Sequence, residues 1–386
     1  MKRKKILIVT ASIGTGHTQA ARAIDEYVRT MPEAVESEYV DFLSDDVLSI
    51  DTLVKETYIK VLDLFPIAYD LLYHVSQGRK KGSVIQTLVA WGLKRRMLRL
   101  IRGKKPDMLI FTHPFPCAAA CLLKRQGLLS IPVIGVITDF AIHQFWIYKQ
   151  VDAYCLPTQR LAEELARHGI DRERIHVTGI PVRRNFFSDN TAKSAEQRET
   201  TVLVMGGGLG LGSLQKALER MDSIDSIDRF IIVAGHNAAL YEDLIQMKDT
   251  LRHPIEIYGY TNEIANLMDR SVLLVTKPGA LTCTEAAAKQ IPMVFFNAIP
   301  GQEEENARYL EQLGCARWAR DIDNLDDVVT ALLAQPNRMK DMAQACRRCR
   351  IDGAANVATQ IRRQFLQKET EGSRLALGET AKTMES

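Results

Sequence analysis

No apolar run in this 386-residue chain approaches the roughly 18 residues of a membrane-spanning helix, so no spanning segment is expected. The basic start MKRKKILIVTASIG imitates a secretory leader. Its apolar part is short and runs into glycine and histidine without a small-residue cleavage site, so it reads as a buried first strand. Cysteine is sparse and odd in number, at seven, which argues for a reducing compartment and against a disulfide framework. The pair Cys346 and Cys349 forms a CxxC with no second pair, in a basic helical stretch, and reads as structural rather than zinc-binding or redox-active. No His/Cys cluster has metal spacing, no GxSxG nucleophile elbow is present, and no lysine follows the glycines of 206–212 as a Walker loop requires. Tandem repeats and low-complexity tracts are also missing.

Acidic residues are absent from 71–106, where ten Lys and Arg stand. Residues 1–184 hold 27 basic and 19 acidic residues, against 23 and 28 in 185–386. Within the basic segment, Leu93, Met97, Leu100 and Ile101 fall on one helical face after Trp91. Arg95, Arg96, Arg99 and Arg102 fall largely elsewhere. Two readings are open: a core-packed helix with a solvated basic face, or a helix lying on an anionic membrane. No nucleic-acid-binding motif accompanies the charge, and no nucleic-acid partner is expected.

What is present is a pair of glycine-rich turns about half a chain apart. IGTGH (13–17) follows the apolar run ILIV (6–9), and GGGLGLG (206–212) follows VLVM (202–205). Each turn joins a β-branched run to a helical stretch, the layout in which backbone N–H groups approach a ligand at a helix N-terminus. Strands are predicted near 5–10, 36–41, 108–112, 132–138, 152–157 and 175–178, then near 201–205, 229–234, 254–258, 272–275 and 292–296. Helical patterns such as 18–30 and 159–168 lie between them, and another runs from 337 to about 368 with an interruption near Asp352 and Gly353. The alternation predicts an α/β chain with two parallel sheets, each covered on both faces. The expected division is an N-terminal lobe over 1–184, a C-terminal lobe over 185–370 and a loose tail over 371–386.

Four clusters carry candidate chemistry. His17 follows Gly14 and Gly16 at a helix start, where the partial positive charge disfavours protonation. It reads as a general base at a cleft edge or as a helix cap. The glycines of 206–212 read as a diphosphate-binding turn. TKPGALTCTE (276–285) lies at a strand's carboxyl end. There Glu285 either accepts two hydrogen bonds from a ribose diol or closes its own helix, three residues after Thr282. PGQEEEN (300–306) offers Gln302, Glu303 and Asn306 to sugar hydroxyls. Asp321 and Asp323 form a DxD that reads as helix capping.

IGTGHTQAARAI, TDFAIHQFW (138–146), VTGIPV (177–182), GGGLG, KPGALTCTEA and PGQEEENA together resemble the diacylglycerol glycosyltransferases, the bacterial glucosyl enzymes and the monogalactosyldiacylglycerol synthases. The resemblance covers about residues 4–370 in order. A more distant likeness is to the N-acetylglucosaminyltransferase that makes lipid II. Ala280 stands where family members often carry a second glycine. The resemblance implies a GT-B fold with a C-terminal helix crossing back, and inverting transfer without an essential metal or cofactor. It implies His17 as base, with Gly14, Gly16, Asp139 and His143 on the acceptor side. Gly207 and Gly208 would face the diphosphate, the main chain near Tyr260 the uracil, and Glu285 the ribose. Gln302 and Glu303 would hold the hexose, and Lys277, Gly279, Ala280, Leu281, Thr282 and Asn306 would complete the donor site. The partners implied are UDP-glucose, favoured, or UDP-galactose, with diacylglycerol. An enzyme of that class would be cytoplasmic and bound peripherally to the inner membrane face, and 84–105 then reads as the membrane contact through Trp91, Arg95, Arg96, Arg99 and Arg102. The alternatives are UDP-GlcNAc transfer to a lipid-linked muramyl precursor and a non-catalytic nucleotide-sugar-binding protein.

Overall fold

The computed structural model describes residues 3–12, 15–32, 35–44, 79–188, 199–206 and 214–365. Gly14, Gly207, Gly208, residues 189–198 within the boundary expected near 183–200, and the tail 371–386 lie outside the described residues.

Two six-stranded sheets, parallel throughout, form the described chain. The first holds β1 (Lys4–Thr10), β2 (Val35–Asp41), β3 (Met108–Phe111), β4 (Val133–Val136), β5 (Ala153–Leu156) and β6 (Ile175–Val177) in the order β2-β1-β3-β4-β5-β6. The second holds β7 (Thr201–Met205), β8 (Arg229–Val233), β9 (Ile255–Tyr258), β10 (Leu273–Thr276), β11 (Met293–Phe295) and β12 (Ala316–Trp318) in the order β12-β11-β10-β7-β8-β9. Central strands such as MLIF of β3 and TVLVM of β7 are buried along their whole length, because helices cover both faces. All eleven predicted strands are found. β12 was not predicted: it is a three-residue edge strand, ARW, too short to show a period.

The first sheet carries α1 (Thr15–Val28), α2 (Arg79–Lys104), α3 (Pro114–Arg125) and α4 (Gln159–Arg167). The second carries α5 (Leu214–Met221), α6 (Ala238–Met247), α7 (Ile264–Asp269), α8 (Ala280–Ala288), α9 (Gln302–Gln312), α10 (Leu325–Leu333) and α11 (Pro336–Arg348). A last helix, α12 (353–365), returns to the first sheet and packs Val357, Ala358 and Ile361 against Ile6, Ile8 and Ile24. The return is tight. A Cβ on Gly353 would stand 2.5 Å from the Ile180 carbonyl, and Gly179 has φ +83 beside Ile351. Asp352 caps α12 by accepting from the Ala355 N–H (3.0 Å), and Asn356 donates to the Thr178 carbonyl (2.9 Å).

In both sheets the chain starts in the middle, builds outward on one side, then jumps to the other. The jump falls between β1 and β3 in the first and between β7 and β10 in the second. Such switch points open crevices at the strands' carboxyl ends. The two crevices face each other.

The apolar stripe of α2 is core. Leu93, Met97 and Leu100 pack with Leu7, Phe111 and Phe145, each such side chain contributing ~1.5–3 kcal/mol by burial. The outer face of α2 carries Leu88, Trp91, Arg95, Arg99 and Arg102, all exposed. Arg96 corrects the expectation: it is 5% exposed, its guanidinium lies 4.9 Å over the Phe42 ring, and it donates to the Ser44 carbonyl (3.0 Å). It holds the end of the β2 turn and has no surface to offer a membrane.

Candidate active site

His17 sits in the first turn of α1, half-buried, at the carboxyl end of β1. Its Nδ1 lies 2.7 Å from Thr138 Oγ1, just past β4, and its ring meets the His113 ring edge to face at 4.8 Å. Burial lowers its pKa, while the Asp139 charge and a hydrogen bond to the Thr112 backbone pull the other way. Desolvation is the largest cause of the lowering. A neutral imidazole keeps a lone pair for a proton.

His113 and Thr138 were missed in the sequence. His113 is the N-cap of α3: its Nδ1 accepts from the Phe115 N–H (3.2 Å), which fixes the ring proton on Nε2. Burial then holds its pKa well below 6.5, so it is a neutral donor. The available signal was the polar pair Thr112 and His113 directly after the apolar strand β3. Asp139 is half-buried; burial raises its pKa, and His17 together with a Gln302 hydrogen bond draws it back.

Across the cleft, α8 begins where β10 ends. Gly279 is its N-cap without a side-chain bond, so Thr282 and Glu285 lie inside the helix and form no capping box. Thr284 instead bonds back to the Ala280 carbonyl (2.8 Å). Glu285 is half-buried in the second turn, and burial pushes its carboxyl up to about 8, opposed by the Arg183 charge. Ala280 is buried, Leu281 and Thr282 half-buried, and Leu281 faces Gly16 of α1.

Two loops are stitched together beside it. Lys277, buried, pairs with Glu303 at 3.7 Å, and Glu303 also accepts from the Ile299 N–H (2.9 Å). Asn306 donates to the Pro278 carbonyl (3.0 Å), while its Oδ1 has no partner among the described residues. Gly301 (φ +93) turns the chain into α9, so that Gln302 at its start reaches Asp139. Tyr260 is exposed, stacks on His236 at 4.1 Å, and its hydroxyl accepts from Gln19 (3.4 Å) of α1. His236 was also missed; it follows Gly235, a left-handed turn residue after β8.

The geometry is thus a histidine-bearing crevice facing a carboxyl- and lysine-bearing one. Two family descriptions match the chain: "Monogalactosyldiacylglycerol (MGDG) synthase" over residues 17–182 and "Glycosyltransferase family 28 C-terminal domain" over 201–361. The processive diacylglycerol β-glucosyltransferase of Bacillus cereus (strain 03BB102) is 31% identical, with 89% of each chain covered. The chain belongs to the diacylglycerol glycosyltransferase family. Its fold is GT-B. MurG of Acinetobacter baumannii superposes with a TM-score of 0.60 at 16% identity, over 93% of this chain and 99% of that one. A UDP-GlcNAc 2-epimerase from Neisseria meningitidis, bound to UDP-GlcNAc, does so with 0.55 at 15%, over 94% and 100%. The epimerase is the instructive neighbour: the same fold serves another reaction, so function has to be argued from the site.

Three sequence features stand apart from these two crevices. His143, expected on the acceptor side, is a buried cap: its Nδ1 accepts from the Phe145 N–H (3.2 Å), its ring stacks on Phe145, and burial lowers its pKa to about 4. It shapes the turn that follows Asp139. Asp321 of the DxD caps its own turn by accepting from the Asp323 N–H (3.0 Å), and Asp323 pairs with Lys216 at 2.8 Å. Cys346 and Cys349 are free thiols beside Cys315, with no group of three metal-ligating side chains among the described residues.

Proposed function

We propose that this chain transfers glucose from UDP-glucose to diacylglycerol with inversion, forming a β-glycosyldiacylglycerol. The observation that carries the reading is His17, a half-buried imidazole kept neutral, flanked by Asp139 and facing the α8 crevice. The acceptor hydroxyl gives its proton to the His17 ring as its oxygen bonds to the sugar's anomeric carbon. The bond from that carbon to the diphosphate breaks, and UDP leaves with the electron pair. Charge on the leaving diphosphate is met by Lys277, by the N-terminus of α8 and by the glycine turn that includes Gly207 and Gly208, so no metal or cofactor is required. The Glu285 carboxyl accepts from the ribose hydroxyls and Gln302 reads the hexose, while Asn306, 1% exposed, ties the two loops together at Pro278. Glu303 frames that site through Lys277 and Ile299.

The acceptor stays in the bilayer, so the enzyme docks there. Among the described residues no helix is long and apolar enough to cross a membrane. The outer face of α2 supplies the contact: Leu88 (64% exposed) and Trp91 (70% exposed) at one end, then Arg95, Arg99 and Arg102 a turn apart. Each arginine near an anionic surface contributes ~1 kcal/mol. The proposed location is the cytoplasmic face of the cell membrane.

Lipid product analysis by mass spectrometry tests the reaction. The chain is incubated with diacylglycerol in anionic liposomes and UDP-glucose, UDP-galactose or UDP-GlcNAc in turn. Glucosyl-diacylglycerol from the first donor alone is expected. Galactosyl product changes the sugar. No product from a folded, UDP-binding chain rejects the acceptor, and the lipid-linked muramyl precursor is then tried.

A further inference from the structure

A cavity of about 330 Å³ lies between the lobes, apart from both crevices. None of the residues assigned to the transfer lines it. It stands beside the close approach of Gly179 to Ile351, where the polypeptide passes from one lobe to the other and back. One wall is closed across the lobes by rings: Phe140 meets Tyr309 at 5.3 Å, and the Arg160 guanidinium lies 5.3 Å over Tyr309. The polar groups of the wall are engaged already. Thr284 bonds to the Ala280 carbonyl (2.8 Å), the Thr158 hydroxyl accepts from the Leu161 N–H (3.3 Å), and the Cys349 thiol meets that of Cys315 at 3.7 Å. Apolar surface, by contrast, is left uncovered: Val177, Leu313 and Ile351 all line the cavity and are all exposed. Exposed apolar side chains that converge, unlike ones scattered singly, mark a binding site. Arg348 is the only charged residue among the described residues that line it. It is exposed and has no ion-pair partner among the described residues.

We propose that this cavity binds a fatty-acid anion, with the aliphatic tail between the lobes and the carboxylate on Arg348. The volume is at the low end for small-ligand sites, which suits one tail rather than a two-tailed lipid. A sugar or a nucleotide would leave its hydroxyls unpaired against walls whose own polar groups are engaged. An aliphatic tail loses nothing there and covers Val177, Leu313 and Ile351. The guanidinium then selects the head: a carboxylate matches its fork with two parallel hydrogen bonds, and a cationic amphiphile is repelled. The occupant touches both lobes where the polypeptide crosses between them, so it acts at the hinge and not on the reacting atoms. The site does not rest on the identity of the sugar or of the acceptor.

Decanoate, kept below its micelle concentration, is the probe. Calorimetry on the full polypeptide, with neither UDP-sugar nor diacylglycerol present, should show one saturable site. Methyl NMR should place it, with the signals of Val177, Leu313 and Ile351 shifting together along the same titration. Decanol should bind ~fivefold more weakly than decanoate, the upper worth of an exposed ion pair. Arg348→Gln should weaken decanoate by that same ~fivefold factor and leave decanol unchanged. Leu313→Asp should weaken both by ~tenfold, because apolar contact with the tail is lost. Both variants change exposed side chains, so the fold is kept. Absence of saturable binding, binding that moves none of the three methyl groups, or equal affinity for decanol and decanoate overturns the proposal. So does decanoate affinity that neither variant changes. Because the titration contains no substrate of the transfer, its failure leaves the glucosyl-diacylglycerol assay untouched, and failure of that assay leaves the titration standing.

Discussion

The two crevices occupy the same position in two similarly wound sheets, yet burial acts on them in opposite ways. Between β1 and β3 it lowers a histidine, and between β7 and β10 it raises a glutamate. Both groups are driven toward the neutral form, because a low-dielectric site penalises charge of either sign. The chemical consequences differ. A neutral imidazole accepts a proton and is ready to act as a base. A neutral carboxyl is short of hydrogen-bond donors and gains most from a ligand that brings them, such as a diol. The same physical pressure therefore makes one crevice reactive and the other receptive.

The comparison breaks most sharply at His17. His17→Ala should lower turnover by ~10²–10⁴-fold, the usual worth of a general base, with UDP affinity unchanged in calorimetry. Full turnover would remove the reactive crevice from the argument. In wild type, kcat/KM should be lost as pH falls through the lowered His17 pKa, below 6.5, since protonation removes the base. An acidic limb above that value would contradict the burial effect.

Next in size is the outer face of α2. Replacing Arg95, Arg99 and Arg102 with Gln should weaken partitioning to anionic vesicles by ~3 kcal/mol, about 150-fold, in cosedimentation. Arg96→Gln should instead cost thermal stability, because that guanidinium is buried on Phe42. Equal binding loss from Arg96→Gln alone would invert the assignment of the two faces.

The receptive crevice is sharpened by pH. Hydroxyls donating to Glu285 favour its charged form, so UDP-glucose binding should release a proton below about 8, the free carboxyl's value. Affinity should rise with pH up to there, by at most tenfold per unit, and level off above it. Calorimetry in buffers of different ionisation enthalpy reads the proton directly, and Glu285→Gln should abolish the dependence. The smallest expected effect belongs to the DxD: Asp321→Ala should cost ~1 kcal/mol in denaturant melts, as a lost cap does, with UDP-glucose binding and turnover intact.

Much of this was legible in the chain. Eleven strands follow from local apolar runs, and the burial of Leu93, Met97 and Leu100 follows from a helical period. The short strand β12 carried no period to read. Arg96 was placed with its neighbours on the wheel, but the turn at Phe42 and Ser44 claims it from more than fifty residues away. His143 looked like a site residue by its motif and is a cap by its geometry.

By itself the sequence determined the elements, their alternation and the motifs at the strand ends, because periodicity, capping and turn chemistry are short-range free energies. Only the tertiary structure decided which of those ends meet. His17 with His113, Gln302 with Asp139, and Gln19 with Tyr260 are pairs joined by sheet order and lobe closure. Burial, which pushes His17 and Glu285 toward their neutral forms, exists only once the chain has folded around them.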